Sequence, residues 1–227
     1  FSTQTSGKHY LHFEMQSAGN TYTDSIYYIV EGPQIIQDPP VGTKNGINYI
    51  SDSSVVLVLE APFKNFVYVI GDWNNWELDP NFKMNKSQNG EKYWLEINNL
   101  TPNVEYLFQY FVDGLIKIAD PYSRKVISEY DQYIPHSIYP GLISYPHGKT
   151  THAVSVLETN KQEYIWQTQN FSAPDNRDLV IYELLIRDFS FRSDYQTVID
   201  SLPHLKKLGI NAIELMPIIE FDGLLSW

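Results

Sequence analysis

The sequence contains no cysteine. That excludes disulfides, thiolate nucleophiles and thiolate metal ligands, and it leaves the redox compartment open. No apolar run approaches the roughly 18 residues that a membrane-spanning helix needs. Basic residues are few: 16 Lys and Arg stand against 27 Asp and Glu, a formal net charge of −11. A chain of that charge repels a polyanion, so nucleic acid is excluded as a partner. The six histidines are scattered. His9 and His12, or His147 and His152, show no metal-ligand spacing, so no metal site is read. No signal peptide is visible at Phe1, which a mature or a recombinant chain would lack in any case.

Aromatic and apolar side chains are plentiful. Hydrophobic residues make up 43% of the 227 positions, with 17 Tyr and 5 Trp, and charged residues 19%. This is the composition of a folded globular chain, long enough for more than one domain. Residues 9–30 predict a hairpin. Leu11, Phe13 and Met15 alternate with His12, Glu14 and Gln16, Ser17-Ala18-Gly19-Asn20 turns the chain, and Tyr22 to Val30 returns. A hairpin alone is marginal in water, so it is expected either to end a further domain or to pack on the next one. Gly32-Pro33 and Asp38-Pro39-Pro40 punctuate a stiff linker over 33–44.

Residues 45–122 carry strand-sized segments at Val55–Leu59, Phe66–Ile70, Tyr93–Ile97 and Tyr106–Val112. Asp113-Gly114 then signals a hairpin into Leu115–Ala119. The spacing predicts an antiparallel β-sandwich. Over 121–177 the prolines at 121, 135, 140 and 146 break long elements. Residues 123–177 read as an inter-domain connection, with one strand at Thr151–Leu157.

From Asp178 the pattern changes. Leu179–Ile186 is apolar enough for a parallel strand covered on both faces. Val198, Leu202, Leu205 and Leu208 fall at helical spacing between a cap at Ser193 or Asp194 and Gly209. Pro203 should kink this helix near Ile199. Asn211–Met216 is a second buried strand ended by Pro217. Strand, helix and strand form one βαβ unit. About 50 residues follow Asp178, whereas a (β/α)8 barrel needs ~200 or more. The chain therefore reads as a piece that stops after a second barrel strand.

Val180-Ile181-Tyr182-Glu183-Leu184-Leu185-Ile186-Arg187-Asp188-Phe189 resembles the first barrel strand of glycoside hydrolase family 13, the α-amylase family, where the motif runs V-Y-E-hydrophobic-x-x-R-D-F. Leu205 to Pro217, continuing into Glu220-Phe221-Asp222-Gly223 and Ser226-Trp227, resembles that family's second helix-strand junction. Gly71-Asp72-Trp73-Asn74-Asn75-Trp76, Phe111-Val112-Asp113-Gly114 and Asp120-Pro121-Tyr122 resemble carbohydrate-binding module family 48. The hairpin resembles the end of an extra Ig-like domain found ahead of that pair in secreted bacterial enzymes.

The resemblance implies a mainly β chain. Residues 1–32 would end an Ig-like domain and 45–122 would be the sandwich. Residues 178–227 would be the truncated start of a (β/α)8 catalytic barrel. For the whole protein it implies a retaining hydrolase or transferase of α-1,4 or α-1,6 glucosidic bonds, located outside the cell, at its surface or in the periplasm. Its partners would be an α-glucan polysaccharide or oligosaccharide and the remainder of the barrel. The family's catalytic aspartate, glutamate and second aspartate follow later barrel strands, so the chain is expected to hold no catalytic residue and to be inactive alone. The candidate carboxylates are Glu183, Asp188, Glu214, Glu220 and Asp222; Glu220 and Asp222, after the second strand, are read as strand-end and loop hydrogen-bonding groups, and Asp188, paired with Arg187 or capping backbone, as structural. No cofactor is expected in this chain, and the full-length enzyme is compatible with calcium. The resemblance makes Trp76 a sugar platform and places Trp227 on a loop toward the cleft, while Trp73 and Trp94 read as core. Leu115-Ile116 and Gln109 stand where sugar-binding relatives carry a second tryptophan and a lysine. A lone ring binds weakly, which favours a bracing sandwich over a free binding module or a structural spacer.

Overall fold

The structure is a computed structural model, and it describes residues 5–137 and 139–218. The chain divides into two compact units, Phe1–Glu129 with Tyr145–Lys161, and Tyr130–Ser144 with Gln162–Trp227.

The first unit opens with the hairpin. Strands β1 (Gly7–Ser17) and β2 (Asn20–Val30) pair antiparallel without a register shift from Gly7↔Val30 to Ser17↔Asn20. Ala18 (φ 50°) and Gly19 (φ 82°) supply the two left-handed residues that a tight hairpin turn requires. Of the two expectations for this hairpin, its base meets the second by resting on the sandwich. Lys8 Nζ lies 3.2 Å from Glu77, and Lys83 Nζ donates to the Gly32 carbonyl at 2.7 Å.

The sandwich has two sheets. One contains β3 (Gly46–Ser51), β4 (Ser54–Glu60), β6 (Asn85–Lys86) and β7 (Lys92–Ile97), in the order β3-β4-β7-β6. The other contains β5 (Val67–Gly71), β8 (Glu105–Val112), β10 (Val126–Ile127) and β11 (Val154–Glu158), in the order β10-β11-β8-β5. A short β9 (Ile116–Ile118) returns along β8 after Asp113-Gly114. Val55, Leu57 and Leu59 of β4 meet Val67, Val69, Phe108, Tyr110 and Leu157 in one buried core. Val56 and Val58 point to the other face of their sheet, where they are buried with Trp94. That explains why β4 reads as an unbroken apolar run rather than an alternating one.

Two expected limits move. Residues 33–44 are no free linker. Ile36 bridges Lys86 in parallel, the Gln37 amide donates to the Lys86 carbonyl at 2.8 Å, and Trp94 Nε1 donates to the Gln37 carbonyl at 2.7 Å. The segment extends the sheet beside β6 and satisfies an indole that would otherwise be buried unpaired. The sandwich also runs past residue 122, because β11 pairs with β8 and sends Leu157 into the core. The prolines exclude long strands between 121 and 146 but not a five-residue one after them.

Asp120 of the Asp-Pro-Tyr motif is 3% exposed. It accepts from the Tyr110 hydroxyl and the Tyr122 amide, each at 2.7 Å. Burial raises its pKa above the ordinary carboxylate value, against the lowering effect of these two donors. A carboxyl raised in the folded state contributes stability below its unfolded pKa of about 3.9, and that contribution is lost as pH rises through the folded pKa. Asp120→Asn keeps an acceptor for Tyr122 and offers Nδ2 to the Tyr110 oxygen. Its urea midpoint should therefore fall less than that of the parent between about pH 4 and pH 7. A steeper fall would contradict this assignment.

In the second unit, β12 (Ile181–Leu184) pairs parallel with β13 (Ala212–Leu215). A helical turn, α1 (Ile186–Phe189), follows β12, so the expected strand over 179–186 is shorter than its apolar run. Helix α2 (Tyr195–Lys207) crosses between the strands. The Asp194 side chain accepts from the Thr197 amide at 2.7 Å, capping the helix, and Gly209 (φ 86°) ends it in the left-handed region. The helix is continuous through Pro203. Val198 and Leu205 are buried, but Leu202 and Leu208 of the same stripe are exposed, as are Val180, Ile181, Tyr182 and Leu215. These strands are not covered on both faces within the described residues.

Candidate functional site

The tryptophan-bearing turn follows β5. Gly71 leads into a single 3-10 turn at Asp72–Asn74. Asn74 holds that turn from both sides, accepting from the Gly71 amide at 2.8 Å and donating to the Val69 carbonyl at 2.9 Å. Asn75 (φ 52°) and Trp76 (φ 65°) are both left-handed, so the chain folds back and the Trp76 amide reaches the Gly71 carbonyl at 2.9 Å. Asp72 then ties the turn to the sheet. Its Oδ1 accepts from Trp76 Nε1 at 3.2 Å and its Oδ2 from the Leu107 amide at 2.8 Å.

This geometry turns the Trp76 ring inward. Trp76 is 6% exposed, so it offers no flat face to a sugar ring, and the platform expected from the resemblance is not presented. Trp73 and Trp94 behave as core. Trp73 packs against Phe82, Tyr106 and Phe108 at centroid distances of 5.9–6.3 Å, and Trp94 is 7% exposed. Beyond Asp113-Gly114, Leu115 and Ile116 are exposed aliphatics without a stacking face.

Gln109 shows what occupies this side of the sheet. It points to the face opposite Phe108 and Tyr110, yet its exposure is 0%, because residues 145–153 lie across it as a strap. Gln109 Nε2 donates to the Thr151 and Ala153 carbonyls at 2.9 and 2.8 Å, and its Oε1 accepts from the Thr150 hydroxyl at 2.6 Å. The Tyr145 hydroxyl donates to the His152 carbonyl at 2.8 Å, and burial, with Glu129 adding to it, pushes that phenol up to about 12. Lys149 Nζ reaches Asn75 Oδ1 at 3.0 Å, joining the strap to the tryptophan turn. Sequence reasoning missed the strap. Its residues carry no motif, and only the polar Gln109 in an otherwise apolar strand hinted at a buried partner.

The second unit carries the remaining candidates. Glu183 and Glu214 are register partners on adjacent parallel strands, and both are exposed. Asp188 pairs with Arg187 at 3.1 Å on the surface. Glu220, Asp222 and Trp227 lie outside the described residues. Among the described residues no group of three or more His, Cys, Asp or Glu could hold a metal ion, and no helix is long and apolar enough to cross a membrane.

No family model matches the chain. It is 32% identical over 123 residues to the chloroplastic isoamylase 1 of Arabidopsis thaliana, a match covering 51% of this chain and 15% of that protein. It is 32% identical over 120 residues to the malto-oligosyltrehalose trehalohydrolase of Saccharolobus solfataricus, covering 53% and 17%. A 1,4-alpha-glucan branching enzyme of Clostridium perfringens is 28% identical over 182 residues, covering 74% and 24%. The chain thus spans about a sixth of the length of the first two relatives. Among solved structures, a GBS pullulanase in complex with maltotetraose superposes with a TM-score of 0.57 at 20% identity, over 79% of this chain and 24% of that one. The pullulanase of Bacillus acidopullulyticus superposes with 0.55 at 23% identity, over 82% and 23%. At these identities the structural matches speak to fold, while the sequence matches speak to descent. The sequence relatives are α-glucan-acting enzymes of the α-amylase family, glycoside hydrolase family 13, and this chain is similar to them over part of their length.

Proposed function

We propose that this chain is a non-catalytic portion of an α-glucan-acting glycoside hydrolase, and that it holds and presents a catalytic barrel formed by further strands. The observation that carries the reading is the βαβ unit. Its two parallel strands and their helix leave Ile181, Tyr182, Leu202 and Leu215 exposed, the surface that neighbouring strands and helices of a barrel cover. Retaining hydrolysis needs two carboxyl groups ~5–5.5 Å apart across the scissile bond, and the family resemblance assigns that pair to barrel strands later than the two described here. The whole protein's substrate is taken to be an α-glucan and its reaction hydrolysis or transfer with retention. A location outside the cell or in the periplasm follows only from the resemblance of the hairpin and sandwich to secreted enzymes. The inward Trp76 and the strap over Gln109 favour bracing over sugar binding.

Two measurements test this. The 227-residue chain should release no reducing ends from soluble starch, and turnover by it would overturn the reading. Titration with maltoheptaose, followed by tryptophan fluorescence, should give no saturable change up to about millimolar sugar. Saturable binding lost in Trp76→Ala would instead establish a free carbohydrate-binding module.

A further inference from the structure

Asparagine stands directly before glycine twice in the sequence, at Asn45-Gly46 and Asn89-Gly90. Such a pair is chemically labile, because no Cβ shields the glycine nitrogen from the asparagine side chain. That nitrogen gives up its proton and attacks Cγ. A C–N bond closes a succinimide ring, and the Cγ–Nδ2 bond breaks with loss of ammonia. Water then opens the ring at either carbonyl, leaving aspartate or isoaspartate. The structure sets the two pairs in opposite surroundings.

Asn89 is exposed on the turn between β6 and β7. Its Oδ1 accepts from the Ser87 hydroxyl at 2.7 Å and from the Glu91 amide at 3.1 Å. The second bond curls the side chain across the intervening Gly90 amide, the group that has to attack. The same two donors receive the charge that grows on Oδ1 as Cγ becomes tetrahedral. Glu91 Oε2 accepts from Nδ2 at 2.7 Å, beside the nitrogen that leaves, where a carboxyl group can relay the proton that ammonia needs. The Gly90 amide donates to the Ser87 carbonyl at 2.9 Å, and this bond of a surface turn has to open first. Gly90 has room to move, since a Cβ there would meet only the end of the Lys86 side chain at 3.4 Å.

Asn45 has none of these aids. Its Oδ1 is buried without a hydrogen-bond partner, so no donor stabilises an oxyanion there. Its Nδ2 is tied to Glu60 at 2.7 Å. Gly46 is buried as the first residue of β3 and pairs with Val58. It lies so close to Tyr122 that an added Cβ would be 2.6 Å from the Cβ of that residue. Ring closure swings the glycine backbone, and a close-packed interior resists that movement.

We infer that Asn89 is a deamidation site of the folded protein, and that packing shields Asn45 from the same chemistry. The product at 89 carries a carboxylate where Nδ2 had bonded Glu91, and the isoaspartyl form adds a main-chain carbon to the turn. The adjacent Gln88 amide donates to Asp38 Oδ1 at 2.9 Å, so the change falls beside one of the bonds that hold residues 33–44.

The test compares the native chain with the same chain unfolded in urea, both held at mildly alkaline pH. Conversion at each asparagine is read by peptide mass and by isoaspartyl methyltransferase labelling, with samples digested at time zero as background. Asn89 should convert in the native chain within about threefold of its rate in urea, while Asn45 should slow by more than about tenfold on folding. Gly90→Ala should slow conversion at Asn89 in both states and leave Asn45 unchanged. Folding that protects Asn89 as strongly as Asn45 overturns the inference, and so does native conversion at Asn45 that keeps pace with Asn89. None of these readouts depends on whether the parent protein acts on α-glucans.

Discussion

Gln109→Glu should be the most damaging polar substitution in the sandwich, lowering stability by about 4 kcal/mol, the scale for a buried charge facing the wrong partners. The amide orientation is fixed by its surroundings. Nε2 faces the carbonyls of Thr151 and Ala153, and Oε1 faces the Thr150 hydroxyl. A flipped amide would set one acceptor against two others. Glutamate keeps the acceptor for Thr150 but replaces the donor with a carboxylate oxygen aimed at those two carbonyls, at a position with 0% exposure. Either the strap lifts or the side chain takes up a proton. The first outcome exposes the strap backbone, so trypsin should cut after Lys149 faster than in the parent. The second makes the loss of stability smaller at low pH. Gln109→Ala should cost less, about 2–3 kcal/mol, because water can enter and satisfy the freed groups. Urea midpoints of the two variants against the parent check the order. A glutamate variant as stable as the parent at neutral pH would mean that the strap is not held by this side chain.

The strap also marks where the sequence stops being legible. Strands with heavy burial were readable: Val55–Leu59 and Tyr106–Val112, buried on both faces over most of their length, and Tyr93–Ile97, buried at Tyr93, Trp94 and Ile97, each appear within a residue or so of the expected limits. The Asp-Gly turn and the Asp194 cap were readable because the local chemistry decides them. Residues 33–44 and 145–153 were not. The first runs beside the edge strand β6 and the second across the outer face of its sheet, both in irregular conformation, and many of their bonds are made by backbone groups that every residue carries. Gln37 and Ala153 are held by their carbonyls, and a carbonyl leaves no mark in a sequence. Trp76 shows the complementary failure. Its neighbours match the sugar-binding motif, but whether the ring faces out depends on Asp72 bonding its indole and on two consecutive left-handed residues. A residue pattern reports the turn, not the direction in which its last side chain points.

The turn itself depends on Gly71, and Gly71→Ala should destabilise the unit by about 3 kcal/mol, at the upper end of what overpacking normally costs. The reason is not conformational freedom, because Gly71 is fully extended (φ 178°), a backbone any residue can adopt. The reason is distance. A Cβ at this position would lie 2.5 Å from the Leu107 carbonyl oxygen and 3.0 Å from Phe108 Cβ. Neither neighbour can yield cheaply. The Leu107 amide is bonded to Asp72, and Phe108 is fully buried in the core against Tyr110 and Trp73. Relief therefore has to come from separating β5 from β8 at the Gly71↔Phe108 pair. That pulls on the Asn74 clamp and on the Asp72 link that together turn Trp76 inward. Gly90→Ala is the control. Gly90 has φ 75° and meets only the end of the Lys86 side chain at 3.4 Å, so its cost should be the left-handed penalty alone, about 1 kcal/mol. Equilibrium urea unfolding of both variants measures the difference, and a red shift of tryptophan emission in native Gly71→Ala would report Trp76 coming into contact with water. Equal losses for the two glycines would show that β5 and β8 have more room between them than this packing allows. A larger loss at Gly71 with the emission shift would identify that glycine as the residue keeping the tryptophan away from the surface, and with it the sandwich in its bracing role.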